Sequence, residues 1–147
     1  MKLPDVNIWL ALALSGHSHH KAARSWLDAQ EAASSTFFCR ATQQGLLRLL
    51  STAEVMTCYG IPPLSNCEAW DVMASFMEDD RIAFANEPAE VEEVWKNLAI
   101  RDTHSPKLWL DAWLAAYAIA SGFEMVTTDK AFKQFKELQL RLILKGK

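Results

Sequence analysis

A chain of 147 residues fits one domain and leaves little for a second. Half of it is hydrophobic, with six Trp and seven Phe, and 22% is charged, which excludes a disordered chain and makes disulfides or a structural metal unnecessary for a core. A formal net charge of −3 excludes the strongly basic kind of nucleic-acid binder, although local cations flanking an acidic site remain compatible with such a substrate.

Residues 2–6 read as a short buried strand, followed by a helix over residues 7–14 that Ser15-Gly16 stops. Asp5 and Asn7 interrupt this apolar opening, unlike a signal peptide, and no run is long enough to span a bilayer. Ser18 is placed to cap the next helix, which runs to about Ala32 with Ala22, Ala23, Trp26 and Leu27 on one face. Residues 36–39 make a second strand and residues 40–50 a helix. Pro62-Pro63 break the segment over residues 52–63 ahead of a helix over 64–77. Residues 81–84 form a third strand and 87–101 an amphipathic helix. After a polar loop comes the most apolar helix, residues 108–121, ended by Gly122 where a left-handed residue is wanted. Residues 124–127 are a fourth strand, 130–135 a short helix and 138–144 a last strand. This alternation predicts a single α/β domain over residues 1–147: three layers, α/β/α, around a mostly parallel sheet of four to five short strands. Cys39, Cys58 and Cys67 form no CxxC pair and read as free thiols in a reducing compartment, so the expected location is the cytoplasm, with no membrane association.

Asp111 lies in KLWLDAWLAAYAIA, where nearly every neighbour is apolar, so its helix is expected to be buried on most of its circumference. A carboxylate in such a place needs a partner charge, donors or a metal, and its position in the first helical turn favours an anion. From Asp111 the helix continues for about ten residues, roughly 15 Å. The chain turns at Gly122 and a strand of about five residues returns, roughly 17 Å. Asp129 therefore comes back to the level of Asp111. Asp5 follows a strand and opens a helix, so it too stands at a strand's carboxyl end, the side on which ligands collect in parallel α/β sheets. A helix-start cap is the alternative role for each, and TTDKAF suits it well at Asp129. Three carboxylates on one rim repel unless a cation lies between them, and all-oxygen ligation selects Mg²⁺ or Mn²⁺ over zinc.

At this point the sequence resembles the PIN-domain family, and within it the VapC-type ribonuclease toxins of toxin–antitoxin pairs. The resemblance covers almost the whole chain. LPDVNIWLALAL is similar to the family's opening strand and helix, HSHHKAARSWL to its second helix, and ATQQGLLRLL to the segment after the second strand. LDAWLAAYAIASG and MVTTDKAF resemble the two closing motifs. The resemblance implies a Mg²⁺- or Mn²⁺-dependent endoribonuclease in which Asp5, Asp111 and Asp129 are both metal ligands and catalytic groups. It also implies a homodimer, which the apolar helix faces and Trp content fit, and a protein antitoxin whose basic residue enters the acidic site. One departure stands out: many members carry a glutamate where this chain has Gln43. Glutamine accepts from bound water through its carbonyl but adds no charge. Thr127 and Asn7, beside the aspartates, are candidates to hydrogen-bond to them or to bound water. Lys130, best placed beside Asp129, and Arg48 are candidates for phosphate contact, as are Lys107 and Lys133, with a solvated surface charge as the plainer reading of each.

His17, His19 and His20 lack the i, i+4 spacing that puts two imidazoles on one helix face and read as ordinary polar residues. Trp9, Trp95, Trp109 and Trp113 offer base-stacking surfaces, with core or dimer packing as the plainer reading. Two functional expectations follow. The first is the metal-dependent endoribonuclease; the second, motivated by Gln43, is a catalytically weakened PIN module that binds an antitoxin or RNA. An aspartyl-nucleophile phosphatase is disfavoured because Asn7 occupies the place of its second aspartate.

Overall fold

The computed structural model describes residues 1–145, so the last two residues of the expected 1–147 domain lie outside the described residues. In chain order the elements are β1 (Lys2–Pro4), α1 (Val6–Ala13), α2 (His20–Asp28), β2 (Thr36–Phe38), α3 (Arg40–Leu50), α4 (Ala53–Thr57) and α5 (Asn66–Met77). There follow β3 (Ile82–Phe84), α6 (Val91–Ala99), α7 (Leu108–Ser121), β4 (Glu124–Thr127), a 3₁₀ helix (Lys130–Gln134) and β5 (Leu140–Leu142). The strands make one sheet in the order β3-β2-β1-β4-β5, and every pairing is parallel. The expected α/β architecture is therefore present, with five strands. Because all five point the same way, their carboxyl ends form a single rim.

Strand residues alternate between two cores, as a period of two requires. Val126 and Phe38 belong to one core with Ile8, Trp9, Leu27, Leu46 and Leu50. Leu3, Cys39 and Met125 belong to the other, with Ala112, Ala115, Tyr117 and Phe132. The first core is covered by α1 to α5, the second by α6 and α7, which gives the three layers. Trp9, wholly buried, stacks on Phe38 with ring centroids 3.7 Å apart, fastening α1 to the sheet beside Asp5. Gly45 permits another close approach there, since a Cβ on it would lie 2.7 Å from Val6 Cγ2.

Several boundaries differ from the sequence expectations. Ser18 does not cap α2; His19 precedes that helix, without a side-chain cap, and the helix ends at Asp28. The start of α5 moves past Leu64 because Ser65 builds a capping box: its hydroxyl accepts from Glu68 N–H at 3.1 Å while its own N–H donates to the Glu68 carboxylate at 3.0 Å. The segment over residues 52–63 contains α4. Pairing with β4 limits β5 to Leu140–Leu142. Gly122 ends α7 with φ 70°, as expected.

Candidate metal-binding and active site

Sheet register sets the centre of the site. Leu3 pairs with Met125 and Pro4 with Val126, so the next rung beyond the carboxyl ends of β1 and β4 brings Asp5 beside Thr127. The Asp5 N–H donates to the Val126 carbonyl at 2.8 Å, continuing the ladder to that point. Thr127, wholly buried, then donates its hydroxyl to Asp5 Oδ2 at 2.8 Å. The Thr127 hydroxyl oxygen in turn accepts from the Asp129 N–H at 3.0 Å. One hydroxyl thus joins the first and third aspartates. Asp129 Oδ1 in turn accepts from Ala131 N–H at 2.8 Å, capping the 3₁₀ helix, so this residue has the capping role expected of it. Asp5 makes no such cap to α1, and its carboxylate is met by the Thr127 hydroxyl and the Val6 N–H.

Asp111 occupies the first turn of α7, on the third side of the site. The expectation that this helix is buried around most of its circumference fails there. Trp109 is 50% exposed, Leu110 69%, and Asp111 is half-buried. Burial resumes at Ala112 and covers Leu114 to Ala118. Leu108 in the same turn is buried in the core, so the turn is covered on one side only, with Trp109 and Leu110 facing outward.

The three carboxylates share one electrostatic environment. Burial raises the Asp5 pKa above the ordinary carboxylate value; the Thr127 hydroxyl and Val6 N–H pull it down, and Asp111 and Asp129 push it up. Asp111 is also raised, first by burial and then by Asp129, with Lys107 opposing. Among the described residues, no three His, Cys, Asp or Glu side chains close into a metal-binding group. The arrangement is an open acidic rim. That donor set fits Mg²⁺, which retains several waters and is commonly held by only one or two carboxylates, better than it fits zinc.

Gln43 is buried in the first turns of α3, and its carbonyl accepts from Arg40 Nη1 at 2.7 Å. The oxygen expected to face bound water is thus already engaged by a cation. Arg40 also lies over the Phe84 ring, 4.7 Å from its centroid. Sequence reasoning passed over this arginine, although the i, i+3 spacing to Gln43 was a usable signal. Asn7 is exposed, and no hydrogen bond joins it to an aspartate among the described residues. Lys130 is exposed next to Asp129. Arg48 stands in the last turn of α3, roughly 12 Å along the helix from Arg40 at ~1.5 Å per residue, leading away from the rim.

The histidines are engaged locally. His17 stacks on Tyr59 and accepts from the His19 N–H, and the His20 ring donates to the Ala11 carbonyl. Among the tryptophans, Trp9 is core, Trp95 donates its indole N–H to the Trp109 carbonyl, and Trp113 is half-buried against Tyr117.

In this parallel α/β sheet, Asp5 and Asp129 lie just past the carboxyl ends of β1 and β4, and Asp111 lies in the first turn of α7. The PIN domain model matches residues 2–138, and the chain belongs to that family. Its relatives include "Ribonuclease VapC41" of Mycobacterium tuberculosis, 55% identical over 146 residues that span 99% of this chain and 100% of the relative. "Ribonuclease VapC44" of the same species is 30% identical over 138 residues, covering 88% and 86% of the two chains. Solved structures with the same fold include the Mycobacterium tuberculosis VapC20, described as a sarcin-ricin loop cleaving toxin (TM-score 0.66, 17% identity, covering 96% of this chain and 99% of that one). The Rickettsia felis VapBC2 structure, bound to a DNA fragment from its promoter, aligns with a TM-score of 0.62 at 13% identity, over 96% and 97% of the two chains. Among the described residues no helix is long and apolar enough to cross a membrane.

Proposed function

We propose that this chain is an endoribonuclease toxin that hydrolyses RNA phosphodiesters at the acidic rim with a divalent cation. The observation carrying the reading is the hydrogen-bonded series Asp5–Thr127–Asp129, set by the β1–β4 register and electrostatically linked to Asp111. The 55% identity to a protein named ribonuclease, over essentially both full lengths, supports it. Asp5, Asp111 and Asp129 would hold Mg²⁺ or Mn²⁺, which when bound supplies charge neutralisation at the scissile phosphate. Thr127 orients Asp5. Asp111, more exposed than Asp5, is the carboxylate that accepts the proton of the attacking water. Lys130, beside Asp129, contacts a flanking phosphate.

The partners proposed with this activity are a small protein antitoxin that covers the acidic rim with a cation and a second copy of the chain. The half-exposed Trp109 and the exposed Leu110 and Ile100 are apolar surface of the kind a dimer buries. A second functional reading, a PIN module that binds without efficient cleavage, is favoured by one observation: Gln43 replaces a carboxylate and its carbonyl is bonded to Arg40.

Incubating the purified protein with single-stranded RNA and Mg²⁺ or Mn²⁺ separates the two. Cleavage that EDTA abolishes, and that Asp111→Asn or Asp129→Asn reduces by roughly a hundredfold or more, supports the nuclease. RNA binding without cleavage in the wild type supports the second reading. Cleavage that persists in both variants places the activity elsewhere.

A further inference from the structure

Beyond the acidic rim, the carboxyl ends of β2 and β3 border a second feature. Arg40, Gln44, Phe84, Asn86, Glu87 and Trp113 line an open cleft of ≈ 360 Å³. Its chemistry is mixed in a particular way. Phe84 carries the Arg40 guanidinium on its face, and Trp113, from α7, provides a second aromatic surface. Asn86 and Glu87 bring amide and carboxylate groups to the edge. Tyr117 steadies this edge: its hydroxyl lies 2.7 Å from both the Ala85 and the Asn86 carbonyls, toward which it donates. Burial pushes that hydroxyl up to about 12, so it remains a donor at neutral pH.

We infer that this cleft is a nucleobase subsite, which receives an unstacked base of the RNA strand against Trp113 and the Arg40–Phe84 pair, with the base edge toward Asn86 and Glu87. Unpaired bases are held on aromatic rings and guanidinium planes and read along their edges by polar groups. The position is right for a nucleotide flanking the scissile phosphate. β3 and β1 are separated by β2 alone, so the cleft lies about 10 Å along the rim from Asp5 at ~4.8 Å per strand. Arg40, which opens α3 at the carboxyl end of β2, lines the cleft and is steadied there by donating to the Gln43 carbonyl. Glu87 discourages a phosphate in the cleft and accepts from base amino groups, which favours a base over the backbone as occupant.

The inference rests on RNA being the substrate, so its test does not depend on turnover. A single-stranded RNA decamer carrying 5-iodouracil, moved through each position in turn, is photolysed with the full-length protein in EDTA, and the adducts are mapped by peptide mass spectrometry. The expected adduct is on Trp113 or Phe84. Trp113→Leu, or Arg40→Gln where the first variant fails to fold, lowers the adduct yield roughly fivefold or more, whereas Trp109→Leu leaves it unchanged. Adducts confined to Trp109, Trp95 or Trp70, or none at any position, overturn the inference. Occupation of the cleft by an antitoxin peptide that protects Trp113, when RNA does not, overturns it as well. Metal-dependent cleavage without a cleft adduct preserves the nuclease and removes the subsite; a cleft adduct without cleavage does the reverse.

Discussion

Replacing Thr127 by Val removes one oxygen and keeps the side chain's shape, yet that oxygen has two tasks. It donates to Asp5 Oδ2 at 2.8 Å and accepts from the Asp129 N–H at 3.0 Å, in a side chain with no exposed surface. A hydrogen bond to a charged group contributes roughly 1.5–3 kcal/mol and a neutral one about 0.5–1.5 kcal/mol. The variant should therefore lose about 2–4.5 kcal/mol, well beyond the cost of a neutral isosteric change. Urea denaturation measures this directly, with an unchanged slope required for a clean comparison. Loss of the donor also removes the interaction that lowers the proton affinity of Asp5, leaving burial and the two other aspartates to raise it further. Cleavage by the variant should thus need more Mg²⁺ for half-maximal rate. Thr127→Ser, which retains the hydroxyl, should keep the Mg²⁺ requirement of the wild type. A Thr127→Val protein within about 0.5 kcal/mol of wild type, with the same Mg²⁺ requirement, refutes the reasoning.

Three further outcomes are expected. Gln43→Glu adds a carboxylate while keeping Arg40 as partner, and should tighten Mg²⁺ binding by roughly fivefold in calorimetry, since a unit charge a few ångströms away contributes about 1 kcal/mol in water-like surroundings; unchanged affinity puts this position outside the cation's reach. Gly45→Ala forces a Cβ to 2.7 Å from Val6 Cγ2, and overpacking of about 1–3 kcal/mol outweighs the gain of up to ~1 kcal/mol in helix propensity. Urea midpoints should fall and cleavage weaken through displacement of Val6 next to Asp5, whereas a more stable variant contradicts the packing. Arg81 holds Asp79 down to about 2, chiefly by hydrogen bonding, so this pair's stabilisation is present above the ordinary carboxyl value of 3.8 and is lost as pH falls through about 2. With Asp79 and Arg81 side chains 29% and 23% exposed, solvent screening limits it to roughly 1 kcal/mol, and the gap between wild type and Asp79→Ala should close on acidification. A gap that widens toward pH 2 reverses the sign and excludes the mechanism.

The parts of the site that sequence alone made legible depend on local chemistry and chain direction. The bounds of α7 and β4 followed from an apolar helix, a glycine stop and a short strand, and their nearly equal lengths returned Asp129 toward Asp111. Asp5 was placed by the parallel-sheet rule, and the β1–β4 register bears out that placement. What could not be read depends on tertiary surroundings. Trp109 and Leu110 look like core residues in sequence, but only Leu108 of the first turn of α7 enters the core, and Asp111 is left half-buried. Ser18 has a good capping side chain one residue too early, and its hydroxyl contacts the His19 ring instead of the helix backbone. The seating of Arg40 on Phe84 joins α3 to a strand far away in sequence.

The central claim is that Asp5, Asp111 and Asp129 act as one unit. Single-turnover RNA cleavage over a range of Mg²⁺ concentrations, for Asp111→Asn, Asp129→Asn and the double variant, tests it most directly. Residues that work together are strongly non-additive, so the double variant should be scarcely slower than the slower single variant. Losses that multiply would mean independent contributions and contradict a shared site.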